Sequence, residues 1–386
     1  MTRARRERNR MAEADEVLPR LLAGGDMGGQ VLACSEGLSF WGGVDPDSGR
    51  IIDAHHPDHG AHVTGRVLLM PTSRGSCSGS GVLLQLALSG LAPAALVFCE
   101  EEEVLTLGAL VAGRVFGCPL TVLRLPRAGY EDLAQARSAA LHGTTLSFGG
   151  QEVSVQPASA TDLALSDSDR AMLDGDEGPA VQLAMEVLCL MAAAHGADHL
   201  IDVTRAHIDG CILAHEANLV FAEKMAELGA RVRVPTTINA ISVDRENWRD
   251  QGVPQGFGAR ASRLADAYVG MGAAPTFTCA PYLLANPPAR GEPLGWSESN
   301  AVLFANSVLG ARSPKHPDYL DLFIAMTGRA GATGVYADEG RRPRRVLAVE
   351  APDQIDDEGF WPVLGWQAGL LSPDQIPLLT GLEHLR

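Results

Sequence analysis

Apolar and polar residues fall in blocks along this chain, and the period within each block points to the element it forms. Short apolar runs bounded by turn residues read as strands at Gln30–Cys34, Arg50–Asp53 and Arg66–Met70. The blocks then alternate: a helical pattern over Ser80–Ser89, a strand over Ala94–Cys99, a helix over Val104–Phe116 and a strand over Leu120–Leu125. A helix over Glu131–Leu141 and a polar strand over Thr144–Phe148 complete a compact α/β region at 25–150. Gln151–Asp169, rich in Ser, Ala and Asp, lacks periodicity and reads as a linker. Beyond it come an apolar helix over Gly178–Ala194, a buried strand over His199–Val203, a helix over Ala217–Leu228 stopped by Gly229, and a strand over Arg231–Val234. This βαβ rhythm predicts a second α/β region, 170–386, with a partly parallel sheet. Active groups in such sheets gather at the carboxyl ends of strands. Thr204–Gly210 and Pro235–Asp244 are both expected just past such ends.

Composition narrows the classes. The 31 basic and 47 acidic residues leave a net charge of −16, which argues against a nucleic-acid partner or an anionic membrane surface. The longest apolar run, Gly81–Phe98, is broken by Gln85, Ser89, Gly90 and Pro93, so it reads as helix then strand and not as a membrane span. Residues 1–24 form a basic extension with five arginines before residue 11 and no apolar segment behind them; they read as disordered, without a secretory signal. The seven cysteines form no CxxC pair, so a reducing cytoplasm is the expected setting. The chain has two lysines, Lys224 on a wet helix face and Lys315 in a turn, which argues against pyridoxal phosphate as cofactor.

Chemistry concentrates in a few polar clusters. Arg74-Gly75-Ser76-Cys77-Ser78-Gly79-Ser80-Gly81 lies between an apolar strand and an apolar helix. The free N–H groups and positive dipole of a helix start favour an anion there, and the same serines equally suit a plain N-cap. No Gly-Lys-Ser/Thr closes the motif, so it is not a Walker loop. Ser39–Pro46 and Asp53-Ala54-His55-His56-Pro57 suit either a backbone approaching a ligand or a hairpin with surface histidines. His207 and Asp209, two apart, suit substrate binding or mere structure, and Pro235–Asn239 suits a polar loop or a turn. Cys279, between Thr278 and a Pro-fixed turn, is either a metal ligand or a small buried hydrophobe.

Together these clusters resemble the aconitase X family. They follow that family's order: Leu-Ser-Phe-Trp-Gly-Gly-Val-Asp-Pro at 38–46, Ile-Ile-Asp-Ala-His-His-Pro at 51–57, and Arg-Gly-Ser-Cys-Ser-Gly-Ser-Gly at 74–81. Ala-His-Ile-Asp-Gly at 206–210, Val-Pro-Thr-Thr-Ile-Asn at 234–239 and Thr-Cys-Ala-Pro-Tyr at 278–282 follow. Glu-Ser-Asn-Ala at 298–301 and Ala-Asn-Ser-Val-Leu-Gly-Ala-Arg at 305–312 close the series.

The resemblance implies a small swivelling β/β/α domain followed by an aconitase-like α/β large domain. In the family, fusion of these parts goes with dehydration of cis-3-hydroxy-L-proline to Δ1-pyrroline-2-carboxylate, whereas separate archaeal subunits dehydrate mevalonate 5-phosphate. Ser76 takes the place of the family's proton acceptor, and Cys279 that of a ligand to iron or an iron–sulfur cluster. Gly75, Ser78, His56, His207, Asp209, Thr237 and Asn239 are the expected contacts of a small hydroxy amino acid. The family's large part continues beyond the equivalent of Arg386 and carries further cysteine ligands there. The large domain is therefore expected to be incomplete at its C-terminus, with the other metal ligands absent and apolar surface exposed. Mevalonate 5-phosphate dehydration and a non-catalytic fragment that keeps the fold are the alternative readings.

Overall fold

A computed structural model describes residues 18–350, 357–373 and 375–383. The chain divides into two compact units, one ending at Ala332 and one beginning at Thr333.

The first unit opens with strands β1 (Arg20–Ala23), β2 (Met27–Ala33) and β3 (Val67–Leu69), then helix α1 (Gly79–Leu88), β4 (Ala95–Phe98), α2 (Val104–Phe116), β5 (Thr121–Arg124) and α3 (Arg127–Ala134). Strands β6 (Ser138–His142), β7 (Thr145–Phe148), β8 (Gln151–Ser154) and β9 (Gln156–Pro157) complete a nine-stranded sheet in the order β8-β7-β6-β2-β3-β4-β5-β1-β9. Its centre, β2 to β5, is parallel. β3 and β4 are buried at every position, as expected of strands covered on both faces, and they read in sequence as unbroken apolar runs. The carboxyl ends of these four strands lie along one edge of the sheet, and the Ser76 turn follows β3 there.

The same unit continues with α4 (Asp167–Asp174), α5 (Pro179–Ala194), β10 (Leu200–Asp202), β11 (Arg205–Ile208), α6 (Glu216–Glu227), β12 (Thr236–Ile238) and α7 (Gln255–Gly270). It ends with β13 (Leu294–Trp296), α8 (Ser299–Phe304), α9 (Leu320–Thr327) and β14 (Arg329–Gly331). β11 lies between β12 and β13, parallel to both, while β10 pairs antiparallel with β14. α9 packs on β11, α1 on α6 and α2 on α5, so the two sheet regions meet through helices.

Several expectations are corrected. Arg50–Asp53 makes only isolated bridges, Arg50 to His62 and Ile51 to Val44. The helix expected over Glu131–Leu141 ends at Ala134, and Ser138–His142 is strand: Ala139 and Leu141 face the core at a period of two, which a helical reading had absorbed. The presumed linker at 151–169 is structured. β7 and β8 form a hairpin across Gly149-Gly150, and Ser166 and Asp169 form a capping box at the start of α4. Arg20–Ala23 is a strand and not part of a disordered extension, while residues 1–17 lie outside the described residues. Arg231–Val234 sends amides to Met271 and Ala325, so the strand begins only after Pro235. Arg205–Ile208 and Thr236–Ile238 are therefore strands themselves, and only Asp209 and Asn239 stand past their ends.

In the second unit β15 (Arg345–Ala348) pairs in parallel with β16 (Pro377–Thr380), and α10 (Phe360–Leu371) makes the crossover. α10 buries none of its residues: Trp361, Val363, Trp366, Leu370 and Leu371 are all exposed, Trp366 by 68%. Among the described residues no single helix is long and apolar enough to cross a membrane.

Candidate active site

The Ser76 turn needs glycine at 75. Gly75 has φ +95°, and a Cβ there would come within 2.3 Å of Ser39 Oγ. The turn delivers Ser76 just ahead of α1, two residues before its N-cap, where its hydroxyl oxygen accepts the Ser78 N–H at 3.3 Å. The serines are not acting as a plain cap. Ser78, at the N-cap, makes no side-chain capping bond, and the Ser80 hydroxyl donates to the Cys77 carbonyl at 2.9 Å. Backbone carbonyls of Ser76 and Ser78 take the first helical amides instead. Upstream, Ser73 ties the turn to Glu102, whose buried carboxylate accepts four bonds. Oε1 takes the Ser73 hydroxyl at 2.6 Å and the Leu105 N–H at 2.7 Å; Oε2 takes the Thr106 N–H and hydroxyl, each at 2.9 Å.

Against this turn stand residues from the second sheet. The Cys77 thiol donates to Asp209 Oδ2 at 3.1 Å, the Asp318 N–H to the Cys77 carbonyl at 3.4 Å, and Lys315 Nζ to the Gly75 carbonyl at 3.4 Å. Asp209 follows β11, and Asn239 follows β12. The Asn239 amide nitrogen donates to Asp209 Oδ1 and, at 2.6 Å, to Glu298 Oε2. Below them the Asp209 N–H donates to Asp321 Oδ2 at 2.8 Å. Tyr319, between Asp318 and α9, holds φ +82°, and Phe277, two residues before Cys279, holds φ +45°. Non-glycine residues at positive φ are strained, and such strain collects at functional sites.

Three buried acids, Asp209, Asp318 and Asp321, and the partly buried Glu298 thus lie close together, and each resists ionisation. Burial first and neighbouring carboxylates second push Asp318 up to about 6 and Glu298 up to about 7, and Asp209 rises for the same reasons. Burial likewise takes Asp321 up to about 7, although the Asp209 and Leu322 amides pull the other way. The Cys77 thiol is also raised well above its ordinary value, by burial and then by Asp318 and Asp209.

The expected site residues fall into separate places. The turn that carries Gly75, Ser76 and Ser78 meets Asp209 through Cys77, and Asn239 is bonded to Asp209. His207 and Thr237 lie side by side on β11 and β12 in one row with Trp296, with His207 Nδ1 2.8 Å from Thr237 Oγ1. Burial lowers His207 to about 3, so the ring is neutral. His56 sits in the first sheet region, grouped with Cys34 and Asp58 and not with Asp209. Cys279 is exposed, its carbonyl accepting from Asn300 Nδ2 at 2.9 Å. Sequence reasoning gave no role to Asp318, Asp321, Glu298, Cys77 or Lys315. The usable signals were the acid spacing in His-Pro-Asp-Tyr-Leu-Asp at 316–321 and the rarity of lysine.

The family resemblance implies iron, and the donors present discriminate between forms. Cys279 joins no group of ligating side chains among the described residues, which by themselves therefore assemble no multi-thiolate set around it. Cys77, Asp209 and Asp318 fit a single ion. Their ligating atoms lie within 4.8 Å of one another, all three are buried, and Asp318 Oδ1 has no hydrogen-bond partner among the described residues.

Comparison with known proteins agrees with this architecture. Residues 17–148 match the aconitase X swivel domain and residues 162–339 the aconitase X first domain, and the chain belongs to the aconitase X family. It is 49% identical to cis-3-hydroxy-L-proline dehydratase of Pseudomonas aeruginosa, over 97% of this chain and 65% of that protein. It is 45% identical to the protein of the same name from Hypocrea jecorina, over 94% of this chain and 63% of that one. Identity to the phosphomevalonate dehydratase large subunit of Methanothermobacter thermautotrophicus is 34%, over 57% of this chain and 55% of that subunit. The chain spans less than two thirds of the length of these curated relatives.

Proposed function

We propose that this chain carries the proton-abstracting half of a hydro-lyase that converts cis-3-hydroxy-L-proline to Δ1-pyrroline-2-carboxylate. The observation that carries the reading is that the Ser76-Cys77 turn, at a helix start, meets the Asp209–Asn239–Glu298 group through the Cys77 thiol. The 49% identity to a protein of that named activity supports the substrate, and the more distant phosphomevalonate relationship makes mevalonate 5-phosphate the weaker choice.

Ser76 is the base in this reading. With its own hydroxyl proton released to solvent, its alkoxide takes the α-proton, the Ser78 N–H and the α1 dipole stabilising its charge, and between turnovers Ser76 loses a proton to solvent as Glu298 regains one. The Cα–H pair becomes the Cα=Cβ bond, the C3–O bond breaks, and the departing hydroxide takes a proton to leave as water. Glu298, half-buried and protonated near neutrality, supplies that proton, and Asn239 holds its carboxyl in place. The enamine then tautomerises to the imine. Lys315, whose ammonium donates to the Gly75 carbonyl, binds the substrate carboxylate there. Asp209 and Asn239 orient the hydroxyl, Ser78 and the Gly75 backbone contact the ring, and neutral His207 with Thr237 backs the site. An iron ion held by Cys77, Asp209 and Asp318 would supply a Lewis acid for the leaving hydroxyl. The free cysteines suit a reducing cytoplasm.

The test is turnover by anaerobically purified, iron-loaded protein offered cis-3-hydroxy-L-proline and, separately, mevalonate 5-phosphate. Imine formation from the first is expected. Turnover of the second alone would overturn the substrate assignment.

A further inference from the structure

A second set of donors stands in the first sheet region and shares no residue with the Ser76 site. Cys34 is the residue after β2, its amide fixed to the Leu69 carbonyl at 2.8 Å. The loop that carries His56 and Asp58 is closed by backbone bonds, Ile51 N–H to Ala61 O at 2.8 Å and Gly60 N–H to Ile51 O at 2.9 Å. It folds back so that the Cys34 sulfur, a ring nitrogen of His56 and a carboxylate oxygen of Asp58 all lie within 4.8 Å of one another. Cys34 and His56 are each only 3% exposed, while the Asp58 side chain remains 28% open to solvent.

His56 is the least well served of the three. Its Nδ1 accepts one bond from the Asp58 amide at 3.1 Å, and its Nε2 has no hydrogen-bond partner among the described residues. The ring atom that faces the other two donors is Nδ1, which lies 3.7 Å from Asp58 Oδ2. In the bonds described above none of the three residues touches Ser76, Asp209 or Asn239.

One thiol, one imidazole and one carboxylate form the mixed donor set that borderline divalent cations take, and three protein ligands leave a fourth position for water. We propose that Cys34, His56 and Asp58 bind one divalent cation of the zinc class, with Asp58 as the solvent-side ligand. On binding, the metal–sulfur bond forms as the Cys34 thiol releases its proton to solvent, and the cation competes with the single Asp58 amide bond to the ring. The site closes the loop onto the end of β2, at the same sheet edge as the Ser76 turn.

Cobalt(II) is the probe, because a thiolate–cobalt charge-transfer band reports sulfur ligation directly. The full chain, stripped with chelator and carrying Cys77→Ser and Cys279→Ser so that neither thiol contributes, is titrated with cobalt and then back-titrated with zinc. The expected result is about one equivalent bound with a thiolate band that zinc abolishes. Adding Cys34→Ser removes the band, and His56→Gln or Asp58→Asn weakens binding at least about tenfold. Circular dichroism shows whether each variant is folded. Should Cys34→Ser fail to fold, the His56 and Asp58 variants decide, since they retain the thiol. A folded parent without a thiolate band would overturn the proposal. So would a band that survives folded Cys34→Ser, or one indifferent to both His56→Gln and Asp58→Asn.

Discussion

Glu102 is the buried group whose replacement tests the turn most sharply. Its carboxylate accepts four hydrogen bonds, two at each oxygen, and each oxygen faces one backbone N–H: Leu105 at Oε1 and Thr106 at Oε2. Glu102→Gln keeps the shape, but whichever way the amide lies, its NH2 meets one of those two amides head on. The Ser73 or Thr106 hydroxyl can rotate to accept; the backbone N–H cannot. Bonds to a charged acceptor contribute about 1.5–3 kcal/mol each, and four bonds to one group do not add. We therefore expect Glu102→Gln to cost about 3 kcal/mol, with Glu102→Ala more damaging because all four donors lose their partner. Urea unfolding followed by circular dichroism measures this as a fall in midpoint at constant slope. Because Ser73 is three residues from Ser76, turnover should fall by more than the lost folded fraction. A Glu102→Gln protein within about 0.5 kcal/mol of the parent would refute the reasoning.

Two further predictions rest on other parts of the fold. Burial would raise the Asp169 carboxyl, but bonds from Ser166 and Arg329 outweigh it and hold the group below its ordinary range. Its contribution in the parent is therefore present above the unfolded pKa of about 4 and is lost as pH falls through the lowered folded value. Arg329→Met leaves the buried carboxylate without its cation, at a cost of about 3 kcal/mol near neutrality. That cost should shrink toward about pH 4, as the orphaned acid takes up a proton; a urea midpoint gap that widens on acidification would contradict this. Gly75→Ala strains a residue at φ +95° and drives Cβ toward Ser39 Oγ. Stability should drop by about 1–3 kcal/mol, but turnover by about a hundredfold, because Ser76 is displaced. Equal small losses in both would mean the turn does not position Ser76.

How much of this was legible depends on what each segment buries. The parallel centre of the first sheet was readable because β3 and β4 are apolar at every position, and the end of α2 because Gly117 stops it at φ +67°. The segment at 131–141 misled because its apolar residues satisfy a helical period while Ala139 and Leu141 also alternate. The presumed linker was misread because short edge strands such as β8 and β9 bury almost nothing and so leave no pattern. Ser76, Asp209 and Asn239 stand out as candidates through motif order, not through local spacing. Asp318 and Asp321 were missed because only the fold brings Cys77 against the start of α9, across more than two hundred residues of chain. In sequence Lys315 is only a lysine in a turn, and its place beside Gly75 follows from the same long-range packing.

The central claim is that Ser76 removes the α-proton, and isotope exchange reads that step apart from loss of water. Cis-3-hydroxy-L-proline is incubated in deuterium oxide with the parent and with Ser76→Ala, and deuterium at Cα is followed by mass spectrometry beside imine formation. The account expects the parent to introduce deuterium or form imine, and Ser76→Ala, with unchanged thermal unfolding, to do neither. Exchange or turnover that persists in folded Ser76→Ala would contradict it.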